Sequence, residues 1–482
     1  MSDFFEKNLR LYEEVGFVRE NFGAVVMVEG LPNAVLNEQV VFESGGIGQV
    51  VGLTLNRVKI LVLNTTRMSS SERVVRTGEK IATQVSEELL GKITDSVGIC
   101  VDGTVLKSKN LQRREIDGKP WGIFNRKRVN RRFTTGVMLV DLMVPLGKGQ
   151  RELIIGDRKI GKSLLLLQAT LAQAREGSVC IYVAIGKKKS EVLDIQKYLK
   201  DQGVDNQTVV VATSPMDSPG EIYVSPYTAM TMAEYFRDMG RDVLVVMDDL
   251  STHAKYCREI GLVSKKFPGR NSYPGDIFYT HSRLLERAGN FMVTNREVSI
   301  TCLPVAETIQ GDLSDYVSTN IMSMTDGHIY YDGDLYFRGR RPAINTFLSV
   351  TRVGRQTQTL LQVDANRLLT DLLTNYEKTQ GFQKFGAELG ENSRQILAVG
   401  ERILGFFDQP ISVVVPENLQ LVLLGLLVSG MWPGKGMDTW VEKYIKDESL
   451  RQLVDGIVNS CDSMEKLLEQ VRVKSTAFSS NL

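Results

Sequence analysis

Eight consecutive residues near the middle of the chain combine glycine, lysine and serine at a spacing that suits a bound phosphate. They are Gly156, Asp157, Arg158, Lys159, Ile160, Gly161, Lys162 and Ser163, and they match the pattern GxxxxGK[ST]. Glycines let backbone N–H groups point at phosphate oxygens. Lys162 would neutralise the β- and γ-phosphates, and the Ser163 hydroxyl would bind Mg²⁺. We therefore expect a site for ATP or ADP with Mg²⁺, rather than a chance glycine-rich turn.

A carboxylate follows a later apolar run, "DVLVVMDDLS". Asp248 comes directly after the apolar residues, where a nucleotide-binding protein needs a carboxylate beside Mg²⁺ and its water shell. A strand that ends in aspartate is common by itself. It becomes informative here because a phosphate loop precedes it in the same block, so we assign Asp248 to the metal side.

The run after the loop, "CIYVAIG", leads into Lys187, Lys188 and Lys189. Cleavage of ATP requires a group that orients the attacking water, and a protonated lysine cannot act as a base. These lysines either contact the phosphates or belong to a solvated loop. In both cases we predict that the loop holds a nucleotide without cleaving it.

Three domains are expected from the apolar patterns. Residues 1–90 contain short β-branched runs such as "GAVVMVEG", "EQVVFESG", "GQVVGLTL" and "RVKILVLN", which predict a β-barrel. Residues 91–360 contain a polar linker and then buried strands, "RELIIGD", "VCIYVAIG", "QTVVVAT" and "DVLVVMDD", typical of a parallel α/β sheet. Its helices should include Ser163–Ala174 and Pro226–Met239. Residues 361–482 show helical spacing, which predicts an α-helical domain.

The bulk composition excludes several classes of protein. With 58 basic and 57 acidic side chains among 482 residues, no global charge favours nucleic acid or an anionic membrane. The apolar stretch Leu419–Trp432 is too short to span a bilayer, so a buried helix is expected. The N-terminus resembles neither a secretory signal nor a transit peptide. Five scattered cysteines without CxxC spacing argue for reduced thiols, and against a disulfide framework or a zinc site.

Several longer blocks resemble one family, the alpha subunit of F-type ATP synthases. The similarity is densest in "GKGQRELIIGDRKIGKS", "CIYVAIGKKKS", "SPYTAMTMAEYFRDMGRDVLVVMDDLS", "FPGRNSYPGDIFYTHSRLLERAG" and "RGRRPAINTFLSVTRVG", which stand in the family's order. The N-terminal strands and "KFGAELGENS" fit its barrel crown and helical C-terminal domain. The resemblance implies an N-terminal β-barrel, a RecA-like P-loop domain and a helical domain.

The resemblance also implies an assembly and a division of labour. Alpha subunits alternate with catalytic beta subunits in a three-plus-three ring around a gamma shaft, with peripheral-stalk subunits as further partners. They bind Mg-ATP at non-catalytic sites and lend an arginine to the neighbouring beta subunit, which the motif "SVTRVG" places at Arg352. Arg341 and Pro342 match the segment along the adenine, and Gln409 is a further candidate there. We expect a peripheral subunit at the cytoplasmic face of a bacterial-type membrane, or an organelle-encoded copy.

The chain departs from the family at named positions. Ile160 and Ser163 stand where threonine is usual, and Lys187 stands where alpha subunits carry glutamine and beta subunits carry glutamate. Asn271, Ser318 and Arg355 differ too, and the segment before the barrel is short, which counts against peripheral-stalk contact. These differences mark a diverged member, whose partner need not be a proton-translocating membrane sector.

Three other functions stay open at this point. The basic stretch from Lys107 to Arg132 could bind RNA in a hexameric translocase, although it also suits a solvated linker and we expect no nucleic acid. A self-sufficient catalytic ATPase would need a water-orienting glutamate after the strand that follows the phosphate loop, and this chain has lysines there. A purely structural ring subunit would not need Lys162, Ser163 and Asp248.

Overall fold

The computed structural model describes residues 3–64, 69, 71–384, 390–410, 412–432, 436–474 and 478. The chain forms two compact units. The first comprises Met1–Lys127, Gly177–Glu307 and Leu313–Thr325, and the second comprises Arg128–Glu176, Thr308–Asp312 and Asp326–Leu482. Both units therefore draw on segments that are distant in the sequence.

A closed six-stranded barrel forms the N-terminal part of the first unit. Its elements are α1 (Asp3–Tyr12), β1 (Gly16–Asn21), β2 (Val25–Glu29), β3 (Glu38–Phe42), β4 (Ile47–Leu53), β5 (Val58–Val62) and β6 (Arg73–Lys80). The strand order is β1-β2-β5-β4-β3-β6. Side chains of alternating strand residues, among them Val26, Phe42 and Ile60, fill the interior. The predicted N-terminal barrel is confirmed.

The remaining strands are short apart from those of the central sheet. They are β7 (Ala82–Val85), β8 (Ile93–Thr94), β9 (Gln112–Glu115), β10 (Arg126–Lys127), β11 (Arg132–Phe133), β12 (Leu146–Gly147), β13 (Glu152–Gly156), β14 (Val179–Ala184), β15 (Thr208–Ala212), β16 (Val243–Asp248), β17 (Gly289–Val293), β18 (Arg296–Glu307), β19 (Gly327–Tyr331) and β20 (Val350–Thr351).

Parallel strands form the sheet of the first unit, in the order β18-β16-β14-β15-β8. Every residue of β14 and β16 is buried, which explains why both strands read as unbroken apolar runs. Strand β17 adds antiparallel to β18, and β10 adds antiparallel to β17. In the second unit β13 pairs in parallel with β19, which pairs antiparallel with β20. The four predicted central strands are confirmed as β13 to β16.

Helices connect these strands and make up the C-terminal part. They are α2 (Met138–Met143), α3 (Lys162–Arg175), α4 (Lys189–Asp201), α5 (Pro219–Asp238), α6 (Leu250–Val263), α7 (Ile277–Leu285), α8 (Tyr316–Met324), α9 (Gly333–Phe337), α10 (Leu360–Lys384), α11 (Glu391–Phe406), α12 (Glu417–Val428), α13 (Met437–Lys446), α14 (Glu448–Ser460) and α15 (Met464–Val473).

Helix α5 begins earlier than the sequence suggested. The sequence predicted a start at Pro226. The helix instead begins after Ser218, whose hydroxyl accepts from the Glu221 backbone while the Glu221 side chain accepts from the Ser218 N–H. This capping box, with Pro219 at the first position, outweighs the interior proline at 226.

The C-terminal segment is helical, as predicted, from α10 to α15. Residues Leu419 to Leu427 of α12 are all buried, so the apolar stretch is a core helix, as expected. Among the residues that the structure describes, no helix combines the length and apolarity required to cross a bilayer. Part of the "KFGAELGENS" block, residues 385–389, lies outside the described residues.

Candidate functional site

The predicted phosphate loop connects β13 to α3 within the second unit. Gly156 has φ 154° and Gly161 has φ 100°, values that favour glycine. A Cβ on Gly156 would lie 2.5 Å from the Tyr331 carbonyl oxygen, so no side chain fits there. Backbone shape alone therefore explains both glycines of the motif.

Asp157 and Ile160 hold the loop from two sides. Asp157 Oδ1 accepts hydrogen bonds from Thr308 Oγ1 (2.6 Å) and from the Gly311 backbone N–H (2.9 Å). Ile160 is 4% exposed and packs beneath Gly156. Arg158 and Lys159 are exposed. The departure at Ile160 therefore adds an apolar contact under the loop, while the backbone keeps its shape.

Lys162 and Ser163 open helix α3. The Lys162 ammonium group donates to the Gly156 carbonyl (2.7 Å) and to the Asp157 carbonyl. Ser163, the next residue, is exposed. The lysine therefore lies across the loop whose N–H groups the motif assigns to phosphate, and the serine faces solvent at the helix start.

Lys187 and Asp248 come together in the first unit, at the ends of the neighbouring strands β14 and β16. The Lys187 ammonium lies 2.9 Å from Asp248 Oδ1 and 3.8 Å from Asp249 Oδ2. Burial alone would lower the pKa of Lys187, but the attraction of these carboxylates outweighs it and raises that pKa. The lysine is thus protonated at neutral pH and cannot take a proton from water.

Tyr182 belongs to the same cluster and was not foreseen from the sequence. It lies on β14, is 1% exposed, and its hydroxyl donates to Asp248 Oδ2 at 2.8 Å. Both oxygens of the Asp248 carboxylate therefore accept a hydrogen bond from this unit. The signal available in the sequence was a tyrosine inside an otherwise aliphatic buried strand, since a buried hydroxyl requires a partner.

Arg341 and Pro342 line a cavity of about 260 Å³ in the second unit, together with Leu139, Glu377 and Phe407. The Arg341 guanidinium stacks 3.8 Å from the centre of the Tyr336 ring and donates to the Tyr336 carbonyl. The volume is close to the lower end of ligand sites, about 300 Å³. A planar cation beside a cavity can stack on a base, although contact with adenine stays a prediction.

Gln409 is buried among backbone groups of the second unit. Its amide donates to the carbonyls of Gly136 and Val413, and its Oε1 accepts from the Met138 N–H at 3.0 Å. Both amide protons are used by these carbonyls. Gln409 therefore fastens the loop before α2 to the segment before α12, and contact with a nucleotide stays a prediction.

Arg352 is exposed at the end of β20, in the second unit. Its backbone N–H donates to the Asp326 carbonyl at 3.1 Å. This bond fixes the main chain at this exposed residue. The role of Arg352 as an arginine finger stays a prediction.

Five arginines of the basic stretch from Lys107 to Arg132 are held by contacts within the chain. They contact partners within their own unit: Arg113 pairs with Glu79, Arg114 with Asp238, Arg126 with the Ala288 carbonyl, Arg128 with Gln356, and Arg132 with Glu417. Arginines held in this way serve the fold. This arrangement favours the linker interpretation over a nucleic-acid surface.

Comparison with known proteins identifies relatives over most of the chain. Residues 136–351 match the model of the ATP synthase alpha/beta family, nucleotide-binding domain. An ATP synthase subunit alpha from Caldanaerobacter subterraneus subsp. tengcongensis is 40% identical over 400 residues, which cover 83% of this chain and 79% of that protein. An ATP synthase subunit alpha from Lactobacillus delbrueckii subsp. bulgaricus is 38% identical over 428 residues, which cover 88% of this chain and 85% of that protein.

The matched region contains the phosphate loop, Lys187, Asp248 and the Arg341-Pro342 pair. The barrel, the α/β strands and the C-terminal helices stand in the order that the resemblance implied. The chain therefore belongs to the family of F-type ATP synthase alpha subunits.

Proposed function

We propose that this chain holds Mg-ATP at a non-catalytic site in a rotary ATPase ring, and that catalysis takes place on a neighbouring subunit. The observation that carries this proposal is the Lys187–Asp248 pair. A protonated lysine occupies the position where a catalytic relative would need a water-orienting glutamate. The chain then retains the residue types that bind a nucleotide and lacks the group that would cleave it.

Nucleotide binding would use the groups that the loop already presents. The Lys162 ammonium, now shared between two loop carbonyls, would turn to the β- and γ-phosphates, where a charge-assisted bond is stronger than one to a neutral carbonyl. The N–H groups at the start of α3 would complete the cradle. Arg341 and Pro342 would lie along the adenine, and Gln409 would approach it.

The residues present are compatible with Mg²⁺. Ser163 offers an exposed hydroxyl oxygen, which suits a hard cation. Each Asp248 oxygen accepts a bond from Lys187 or Tyr182, and a carboxylate oxygen can accept a second bond from a metal-bound water. Once bound, the ion would neutralise phosphate charge. The loop motif assigns Ser163 to this ion, and the position of Asp248 after a buried apolar strand assigns Asp248 to it.

Arg352 would act on the ATP of a neighbour. In the proposed three-plus-three ring its exposed guanidinium reaches the catalytic site of a beta subunit and stabilises charge on the γ-phosphoryl group. A gamma subunit would occupy the centre, with peripheral-stalk subunits as further partners. Membrane contact would pass through partners, at the cytoplasmic face.

The test compares the purified chain with a ring reconstituted from this chain and its beta partner. We expect the chain alone to bind ATP in a calorimetric titration without releasing phosphate, and the ring to turn over. Sustained phosphate release by the chain alone would contradict the proposal. Tight, salt-sensitive RNA binding by the chain would instead favour the translocase. Mass spectrometry of copurifying subunits shows whether a membrane sector is attached.

A further inference from the structure

Two of the three histidines in the chain meet a cysteine inside the first unit. His253 is 0% exposed, His281 is 1% exposed and Cys257 is 7% exposed. One nitrogen from each ring and the sulfur all lie within 4.8 Å of one another. Imidazole nitrogen and thiolate sulfur are the ligands that zinc prefers. We propose that His253, Cys257 and His281 form a zinc-binding site.

Two helices bring these side chains together. His253 and Cys257 stand four residues apart on α6, and such residues share one helix face. His281 comes from α7 in the same unit. The bound ion would therefore link two helices that the intervening segment already connects.

The distances are close to those of a tetrahedral site. His253 Nδ1 lies 3.0 Å from His281 Nε2 and 3.5 Å from Cys257 Sγ. With Zn–N bonds of about 2.05 Å and Zn–S bonds of about 2.3 Å, tetrahedral angles require separations of about 3.3 Å and about 3.6 Å. The third separation is between Cys257 Sγ and the His281 ring nitrogen, and small movements of these two side chains would bring it to the tetrahedral value.

The hydrogen bonds of His253 fix the nitrogen that faces its partners. His253 Nε2 lies 2.9 Å from the Tyr223 carbonyl oxygen and must donate its proton there, which leaves the Nδ1 lone pair directed at the cluster. Zinc-binding histidines commonly carry such a bond to a backbone carbonyl. The Tyr223 ring also stacks on the His253 ring, with centres 5.5 Å apart.

Metal binding would change the protonation of the buried cluster. Burial raises the pKa of the Cys257 thiol, so this thiol is protonated in the metal-free chain. Burial lowers the pKa of His253 to about 4, and burial together with His253 lowers that of His281 to about 3. Metal binding requires a neutral imidazole ring and a deprotonated thiol. Zinc would displace one proton from the Cys257 thiol, and the His281 proton would pass from Nε2 to Nδ1. One proton is therefore released for each ion bound.

A fourth ligand can come from solvent. Cys257 lines a cavity of about 290 Å³, together with Tyr223, Tyr227, Thr280 and Asp276. A water in this cavity could complete a four-coordinate site. The Asp276 carboxylate on the wall of this cavity is paired with the Lys266 ammonium group at 3.0 Å.

A zinc site at these residues is contrary to the expectation from the sequence. The absence of CxxC spacing argued against zinc, because that pattern supplies two ligands from one turn. Here the available signal was the pair His253 and Cys257 at helical spacing, and the third ligand is 24 residues further along the chain from Cys257. No local pattern in the sequence connects these three residues.

The test uses the full chain, purified under reducing conditions, stripped with a chelator and dialysed against Zn²⁺ or Co²⁺. We expect one tightly held zinc per chain by elemental mass spectrometry. With Co²⁺ we expect a thiolate-to-cobalt band and the visible absorption of a tetrahedral ion. Cys257→Ser should abolish the thiolate band and lower zinc affinity at least tenfold, and His253→Gln should lower that affinity to a similar degree.

Matched controls separate this site from adventitious binding. Cys461→Ser and His328→Gln change residues outside the cluster and should retain both the stoichiometry and the spectrum. If Cys257→Ser fails to fold, the melting temperature of the wild-type protein still tests the proposal. Zinc should raise that temperature, and a chelator should reverse the rise. Absence of bound zinc in wild-type protein, or a thiolate band that survives in Cys257→Ser, would overturn the proposal. Retention of copper(I) alone would overturn the choice of zinc.

Discussion

The ammonium nitrogen of Lys187 lies 2.9 Å from Oδ1 of Asp248, and the two side chains are 20% and 5% exposed. This pair joins the end of one buried strand to the end of its neighbour. The Asp248 carboxylate is therefore already paired with a cation from its own chain. A metal ion that approaches Asp248 must therefore compete with a cation already in place.

Replacing Lys187 with glutamine should lower the Mg²⁺ concentration that ATP binding requires. The Lys187 ammonium group is the cation nearest to the buried Asp248 carboxylate, and removing one partner of a buried ion pair leaves the other without compensation. A divalent cation would then be bound more strongly. We expect the Mg²⁺ concentration for half-maximal ATP binding to fall by about tenfold, or ~1.4 kcal/mol, in a fluorescence titration.

Lys189→Gln is the matched control, because Lys189 is exposed and opens α4 two residues later. It removes the same charge at a short distance and should leave the Mg²⁺ requirement unchanged. An equal response of both variants would mean that general charge, and not the pair with Asp248, sets the Mg²⁺ dependence.

Arg352→Ala should abolish turnover by the assembled ring and leave ATP binding to this chain intact. An arginine finger contributes about 10³–10⁵ in rate, so steady-state phosphate release should fall by about three orders of magnitude or more. Arg355→Ala removes a neighbouring exposed arginine and should retain most of the activity. Equal turnover in the Arg352→Ala and wild-type rings would exclude the assigned role.

The sequence predicted those features that local patterns determine. β14 and β16 are buried at every position, so their apolar runs were sufficient to identify them. The partnership of Lys187 with Asp248 was not predicted, because 61 positions separate these residues and only the parallel register of two strands brings them together. Gln409 and His281 show the same limit, since their partners come from distant segments. The sequence did not predict which side chains of different strands and helices contact each other.

Lys162→Ala should weaken nucleotide binding to this chain while reducing turnover of the ring much less. Lys162 is the loop cation assigned to the phosphates, and a charged hydrogen bond contributes about 1.5–3 kcal/mol. We expect the dissociation constant for ATP to rise by about 10-fold to about 100-fold in isothermal titration. Lys197→Ala changes an exposed lysine on α4, outside the phosphate loop, and serves as the control. A parallel loss of turnover and binding would place catalysis at this loop and contradict the proposed division of labour.

Glu152, on β13, is 0% exposed, and its Oε2 accepts from Gln150 Nε2 at 2.7 Å. Burial raises the pKa of this carboxyl well above its ordinary value, and the charge of Asp326 adds to the rise. Between the ordinary carboxyl pKa and this raised value, the folded chain binds one more proton than the unfolded chain. The free energy of unfolding must therefore fall as pH rises through that window.

Glu152→Gln should flatten this part of the stability profile, because an amide keeps the acceptor for Gln150 and cannot ionise. The contribution removed is at most about 1.4 kcal/mol per pH unit. Urea unfolding between about pH 5 and about pH 8 measures it. Glu442→Gln, at an exposed residue on α13, should retain the wild-type slope. A Glu152→Gln profile parallel to that of the wild type would mean that the carboxyl at position 152 ionises in the folded chain as freely as it does in the unfolded one.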